Sequence, residues 1–247
     1  MAAPAPPPPA PEATGPIAPG WHTLAVVLLL LGIAAISLWS GSQSTYPAAG
    51  KYFRTGNYAL VFVWEWLTVG FIAWGVRGRG HTLSDLVGGS WPGPGAVLRD
   101  VGVALLFLFG SGIILATLQF AMRATPNRAV RGLLPETPLE SVLWVLLSAT
   151  AAYCEETIFR GYLQRQLGHF ASSANGGLVI QGILFGACHG YQGAKSVVTL
   201  AVYGCLFGLL ARRRRSLRPG MIAHFLQDGV GGLVLREALK RLPAEAM

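Results

Sequence analysis

Seven apolar runs follow one another along this chain, and their length limits what it can fold into. A helix needs about 20 mainly apolar residues to cross a bilayer, and in lipid it satisfies its own backbone hydrogen bonds. WHTLAVVLLLLGIAAISLW (21–39), YALVFVWEWLTVGFIAWG (58–75), VGVALLFLFGSGIILATLQFAM (101–122) and LESVLWVLLSATAAYCEETIF (139–159) meet or approach that length. GGLVIQGILFGACHG (176–190), SVVTLAVYGCLFGLLA (196–211) and GMIAHFLQDGVGGLVL (220–235) are shorter or more polar, so their ends are less sharply set. The expected architecture is all-α, a polytopic transmembrane helix bundle of about seven to eight spans, multi-pass in the cell membrane. Only 12% of residues are charged, against about 25% in an ordinary soluble domain.

The net charge of +8 would suggest nucleic acid in a soluble chain. Here the basic residues border apolar runs, most densely in RRRRSLR (212–218), as juxtamembrane charges facing anionic headgroups do. The expected partner is therefore the lipid bilayer, with no nucleic acid. Basic residues divide evenly between the two sides of a seven-span arrangement. The density at Arg212 to Arg215 favours a cytoplasmic N-terminus. Cys154, Cys188 and Cys205 all fall inside apolar runs without C-x-x-C spacing, which argues against a disulfide framework.

The first twenty residues hold eight prolines and no lysine or arginine, so 1–20 is expected to be a disordered Pro-rich tail and not a secretory signal. Residues 21–138 are expected to form N-terminal membrane helices and loops, 139–236 a second helix bundle, and 237–247 a short C-terminal tail. Segments 40–57, 77–98 and 123–138 are rich in Gly, Pro, Ser and isolated charges and are expected as extramembrane loops.

Ionisable residues are unevenly spread. The last four runs collect Glu155, Glu156, Arg160, His189, His224 and Asp228. Such a group deep in a membrane costs about 2.5 to 3.5 kcal/mol and is normally found facing a bundle interior or a watery cavity with a partner. In CEETIFRGYLQ (154–164), Glu156 and Arg160 stand four apart and share a helical face, where they can form a charge-assisted pair. Glu155 points about 100° away. One carboxylate is thereby held by a cation and the other left free for general base and acid work. In LFGACHG, Phe185 and His189 are four apart beside the small residues Gly186, Ala187 and Gly190. In MIAHFLQDG, His224 and Asp228 are again four apart, the spacing at which a carboxylate orients an imidazole.

The order E-E-x-x-x-R, F-x-x-x-H, H-x-x-x-D within apolar segments resembles the CPBP (Abi) family, the CAAX-processing type II endopeptidases and bacteriocin-processing relatives. The resemblance covers roughly 139–236 and implies an intramembrane endopeptidase acting on a membrane-tethered or lipidated peptide. It implies that Glu155 and His189 activate the attacking water, that Arg160 with Glu156 braces the site, and that His224 with residue 228 stabilises the oxyanion. Where the family has Asn at the last position, this chain has Asp228, which donates only when protonated; it is read instead as orienting His224. The cofactor stays open between none and zinc. His189, His224 and Glu155 are a ligand set only if zinc is present, the helical H-E-x-x-H signature is missing, and glutamate with histidine serves equally as a metal-free base.

Two other function classes fit some of these features. Intramembrane acids and histidines also serve transporters and proton relays, and Glu65, mid-run in VFVWEWLTVG, is the feature that favours this class. A non-catalytic immunity or scaffold protein would have no need of Glu155, His189 and His224 together.

Overall fold

The computed structural model describes residues 15–42, 51–124 and 128–241. Every regular element among them is helical. α1 (Gly20–Ser42), α2 (Lys51–Arg77), α4 (Pro94–Ala121), α6 (Pro138–Glu155), α8 (Ala174–Cys188) and α9 (Ala194–Arg214) carry most or all of the first six apolar runs, and the seventh begins in α10 (Arg218–Phe225) and continues beyond it. Short helices α3 (Leu83–Val87) and α5 (Arg128–Leu133) fall within segments expected as loops, and α7 (Gln164–Phe170) and α11 (Gly231–Lys240) prolong α6 and α10.

Five helical stretches are long and apolar enough to cross a membrane by length and composition: 20–41, 54–77, 94–121, 138–170 and 194–214. The chain is therefore a multi-pass membrane protein. Seven to eight spans would also require α8, whose 15 residues reach only about 22 Å, and the polar 218–240 helix.

The fourth span runs eleven residues past the end of its apolar run, because α6 continues without a break through a π-helical segment, Glu156–Leu163, into α7. Its start is written in TPLE. Thr137 accepts from the Glu140 amide, Glu140 accepts from the Thr137 amide, and Pro138 sits at the first helical position, where its missing N–H costs nothing. Thr82 and Asp85 form the same reciprocal cap on α3, which ends at Gly88 in the left-handed region at φ 96°.

α8 and α9 pack closest of all. Gly182 and Gly186 on α8 meet Ala201 and Cys205 on α9, and a Cβ at Gly204 would come within 3.0 Å of the Gly182 Cα. Gly182/Gly186 and Gly204/Gly208 are facing small-xxx-small pairs, the device by which membrane helices bring backbones together. A side chain at Gly186 would run into the Val197 carbonyl and Ala201.

The outer helices turn large apolar groups outward, among them Leu28, Leu60, Leu106, Phe109 and Phe120, as lipid-facing surfaces do. The interior is formed around α6 and the π segment, where Cys154, Ile158, Phe159, Tyr162 and Leu163 pack with Val26, Leu30, Val69, Ile72 and Phe185.

Of the expected N-terminal tail, residues 1–14 lie outside the described residues. The stretch just before α1 is well anchored: Ile17 and Ala18 are buried, and the Ile17 amide donates to Gln166 Oε1 at 2.7 Å. Of the expected C-terminal tail, 237–240 complete α11 and 242–247 lie outside the described residues. The 77–98 loop is not simply peripheral, since Leu86 of α3 is fully buried. Arg165 donates to the Leu86 carbonyl, and the Leu217 amide and Ser216 hydroxyl donate to the Val87 carbonyl.

Candidate active site

Two helices deliver the carboxylates and the imidazole that meet at the centre. Glu155 ends α6, and Glu156 and Arg160 lie on the π segment, whose eight residues are all buried. His224 stands on α10, one residue before that helix ends and a second π segment, Leu226–Val230, begins with Asp228 inside it. In the first segment the Gln164 amide donates to the Phe159 carbonyl five residues back. This wider winding is rare in proteins and concentrates at functional sites. Both helices that carry the candidate site contain it.

The Glu156–Arg160 pair is an ion pair of 3.0 Å with neither side chain exposed. The guanidinium lies 4.3 Å above the Phe185 ring and 5.0 Å from that of Phe207, so its face is held by aromatic quadrupoles while its edge meets the carboxylate. Arg160 also points toward the Gly204 carbonyl at 3.5 Å, which ties the pair to the α8–α9 glycine contact. Gly220 keeps room for Glu156, because a Cβ there would come within 3.2 Å of Oε2.

Three carboxylates surround His224. Nδ1 lies 3.1 Å from Glu156 Oε1, and Nε2 lies 3.3 Å from Asp228 Oδ2 and 3.7 Å from Glu155 Oε2. Sequence reasoning paired His224 with Asp228 alone. The tighter contact is Glu156 across the bundle, and no one-helix spacing rule can reveal it. Glu156 therefore links the guanidinium to the imidazole. Asp228 is the outermost of the three, its side chain 42% exposed, and its backbone carbonyl is anchored by Trp144 Nε1 at 2.9 Å.

His189 caps the end of α8 and is partly buried. Its Nδ1 is 2.8 Å from the Phe185 carbonyl. A carbonyl only accepts, so Nδ1 carries a proton, and in the neutral ring the lone pair is then on Nε2. The imidazole leans on the Phe185 ring at 4.8 Å, and the other edge of that ring approaches His224 at 6.5 Å. Five of the six residues singled out from sequence are thus joined by direct polar contacts, and His189 is set beside them by Phe185.

Among the described residues, no three His, Cys, Asp or Glu are grouped so as to hold a metal ion. His224, which would have to be one ligand, has both nitrogens against carboxylates. His189, His224 and Glu155 are not grouped as a ligand set in this arrangement.

Glu65 is the residue whose role the sequence left open. It is fully buried on α2, and its side chain faces Glu155 of the site. The one feature that favoured a proton relay therefore belongs to this same cluster. Its only sequence signal is an acid in the middle of a span.

Residues 137–230 match the family model described as type II CAAX prenyl endopeptidase Rce1-like. No curated protein and no solved structure matches the chain.

Proposed function

We propose that this chain, whose residues 137–230 match the Rce1-like type II CAAX prenyl endopeptidase model, is a peptidase of the cell membrane that hydrolyses a peptide bond in a membrane-tethered or lipidated peptide, using a water activated by Glu155 and His189. The observation that carries this reading is the meeting of Glu155, Glu156 and Asp228 on one buried imidazole, His224. A scaffold or immunity protein gains nothing from three carboxylates around a histidine inside a bundle.

In the proposed reaction Glu155, the carboxylate that touches no arginine, takes a proton from water as the oxygen attacks the scissile carbonyl carbon. His189 Nε2, its lone pair free, accepts the second hydrogen of that water and holds it in line. The carbonyl π bond opens to an oxyanion, which accepts from the Nε2–H of His224. That nitrogen is the one facing Glu155, and half-exposed Asp228 is the neighbour the oxyanion displaces. Glu156 keeps the ring oriented through Nδ1, and Arg160 balances the charge of Glu156. The C–N bond then breaks, and Glu155 returns its proton to the leaving nitrogen, so the base of the first step is the acid of the second. A preorganised donor aimed at a developing oxyanion contributes about 2.7 to 4 kcal/mol in enzymes where it has been removed.

The test is cleavage, in liposomes, of a pool of prenylated and unmodified membrane-tethered peptides by wild type, Glu155→Gln and His189→Ala. Cleavage by wild type and its loss in both variants supports the reading. Ion-dependent flux without cleavage would replace it with transport.

A further inference from the structure

Glu65 lies in the middle of α2 with no exposed surface, and among the described residues no hydrogen-bond donor reaches either of its oxygens. α2 packs against α6 and the first π segment. Val69 and Ile72 join Cys154 and Ile158 in the core, and Trp66 stacks on Tyr153 at 5.7 Å. That packing aims Glu65 at the end of α6, with its carboxyl beside that of Glu155. The other titratable groups facing it are Cys154 beside Glu155, His224 from α10 and Asp228 from the second π segment. Glu155 Oε2 likewise has no donor. Two ionised carboxylates cannot hydrogen-bond to each other, since each only accepts, and an ionised group buried without a partner is costly. One proton between the two satisfies both.

We propose that Glu65 is a positioning residue for the catalytic base: as the neutral acid it donates its hydroxyl to the Glu155 carboxylate, fixing one oxygen and leaving the other to face the attacking water. Glu65 touches neither substrate nor water. Its proton stays within the pair during turnover, while the water's proton passes to Glu155 and on to the leaving nitrogen. This assignment rests on the peptidase reading, yet half of its test requires no turnover.

The experiment compares wild type, Glu65→Gln, Glu65→Asp and Glu65→Leu in lipid nanodiscs. Infrared spectra are recorded first. The wild type is expected to show a carboxylic-acid C=O stretch at neutral pH that disappears in Glu65→Gln and shifts in Glu155→Gln. A band that persists unchanged in Glu65→Gln overturns the proposal. Peptide cleavage across pH follows. The Gln variant, whose amide still donates to Glu155, is expected to lose about tenfold in kcat, and Leu on the order of 100-fold, with KM within about twofold in both. Asp retains a pH profile of wild-type shape at reduced kcat, whereas the alkaline limb moves to higher pH in Gln, because an amide has no proton to lose. Equal kcat in Gln and Leu, or an alkaline limb unmoved in Gln, overturns the proposal. If wild type cleaves nothing, the peptidase reading fails while the infrared result still decides whether Glu65 and Glu155 share a proton.

Discussion

Replacing Arg160 by Met tests how the buried pair at the centre is balanced. The guanidinium sits 3.0 Å from Glu156 with both side chains fully buried, and Met fills similar volume between Phe185 and Phe207 without the charge. Breaking one side of a buried ion pair costs about 3 to 5 kcal/mol, because the remaining charge is left uncompensated. Glu156 keeps one partner, His224 Nδ1 at 3.1 Å, which places the expected loss at the lower end, about 3 kcal/mol. For a chain of this size each kcal/mol moves the melting temperature by about 2–4 °C, so Arg160→Met should melt about 6–12 °C below wild type. The double variant Glu156→Gln/Arg160→Met removes both charges and should recover most of that loss, since buried pairs are often replaceable by neutral groups. Intrinsic tryptophan fluorescence during heating in detergent reads both. A single variant within about 2 °C of wild type, or a double variant as unstable as the single, would refute the reasoning that Arg160 compensates a buried charge.

Glu155→Gln should abolish cleavage while leaving the melting temperature within a few degrees of wild type; turnover at the wild-type rate would remove Glu155 as the base. Prolonged dialysis against a chelator should leave cleavage intact, and activity that falls and is restored by added zinc would show that a metal takes part. Gly186→Leu, forced against the Val197 carbonyl and Ala201, should separate α8 from α9 and lower both detergent stability and activity, which limited proteolysis can follow. Asp85, outside the spans, has its carboxyl held below the usual aspartate range by the Thr82 amide and hydroxyl. The stabilisation of α3 it provides is therefore complete above the ordinary aspartate value and is lost as pH falls through the lower folded value. An acid titration of the α3–Ser216 junction by hydrogen exchange should show Asp85→Asn removing that pH dependence.

Five of the spans and the Glu156–Arg160 pairing were legible because each depends on chemistry local in sequence. Apolar runs near 20 residues announce membrane helices, and TPLE announces a helix start. E-E-x-x-x-R places Glu156 and Arg160 together on any helix. The π segments were not legible, since the extra residue per turn arises from contacts around Glu156–Leu163 that the spacing of apolar residues does not encode. For the same reason the Glu156–His224 contact, 68 positions apart, and the approach of Glu65 to Glu155 were out of reach. Each joins two helices whose pairing is set by packing, the latter by the fit of Val69 and Ile72 against Cys154 and Ile158. The burial of Leu86 escaped a loop assignment based on Gly and Pro content, because a single capped turn carries it inward.

The polar links from α1 to the fourth span bear on biogenesis. His22 donates from Nε2 to the Phe71 carbonyl and accepts at Nδ1 from the Tyr162 hydroxyl, Gln166 donates to Thr23, and the Ile17 amide reaches Gln166 across 149 positions. At about 5–20 residues per second, a ribosome finishes α1 several to tens of seconds before Tyr162 and Gln166 exist. Throughout that interval a nascent chain carries a histidine and a threonine into the membrane without their final partners. The polar contacts of α1 are complete only once the fourth span has been made, so its final packing waits on synthesis of Tyr162 and Gln166.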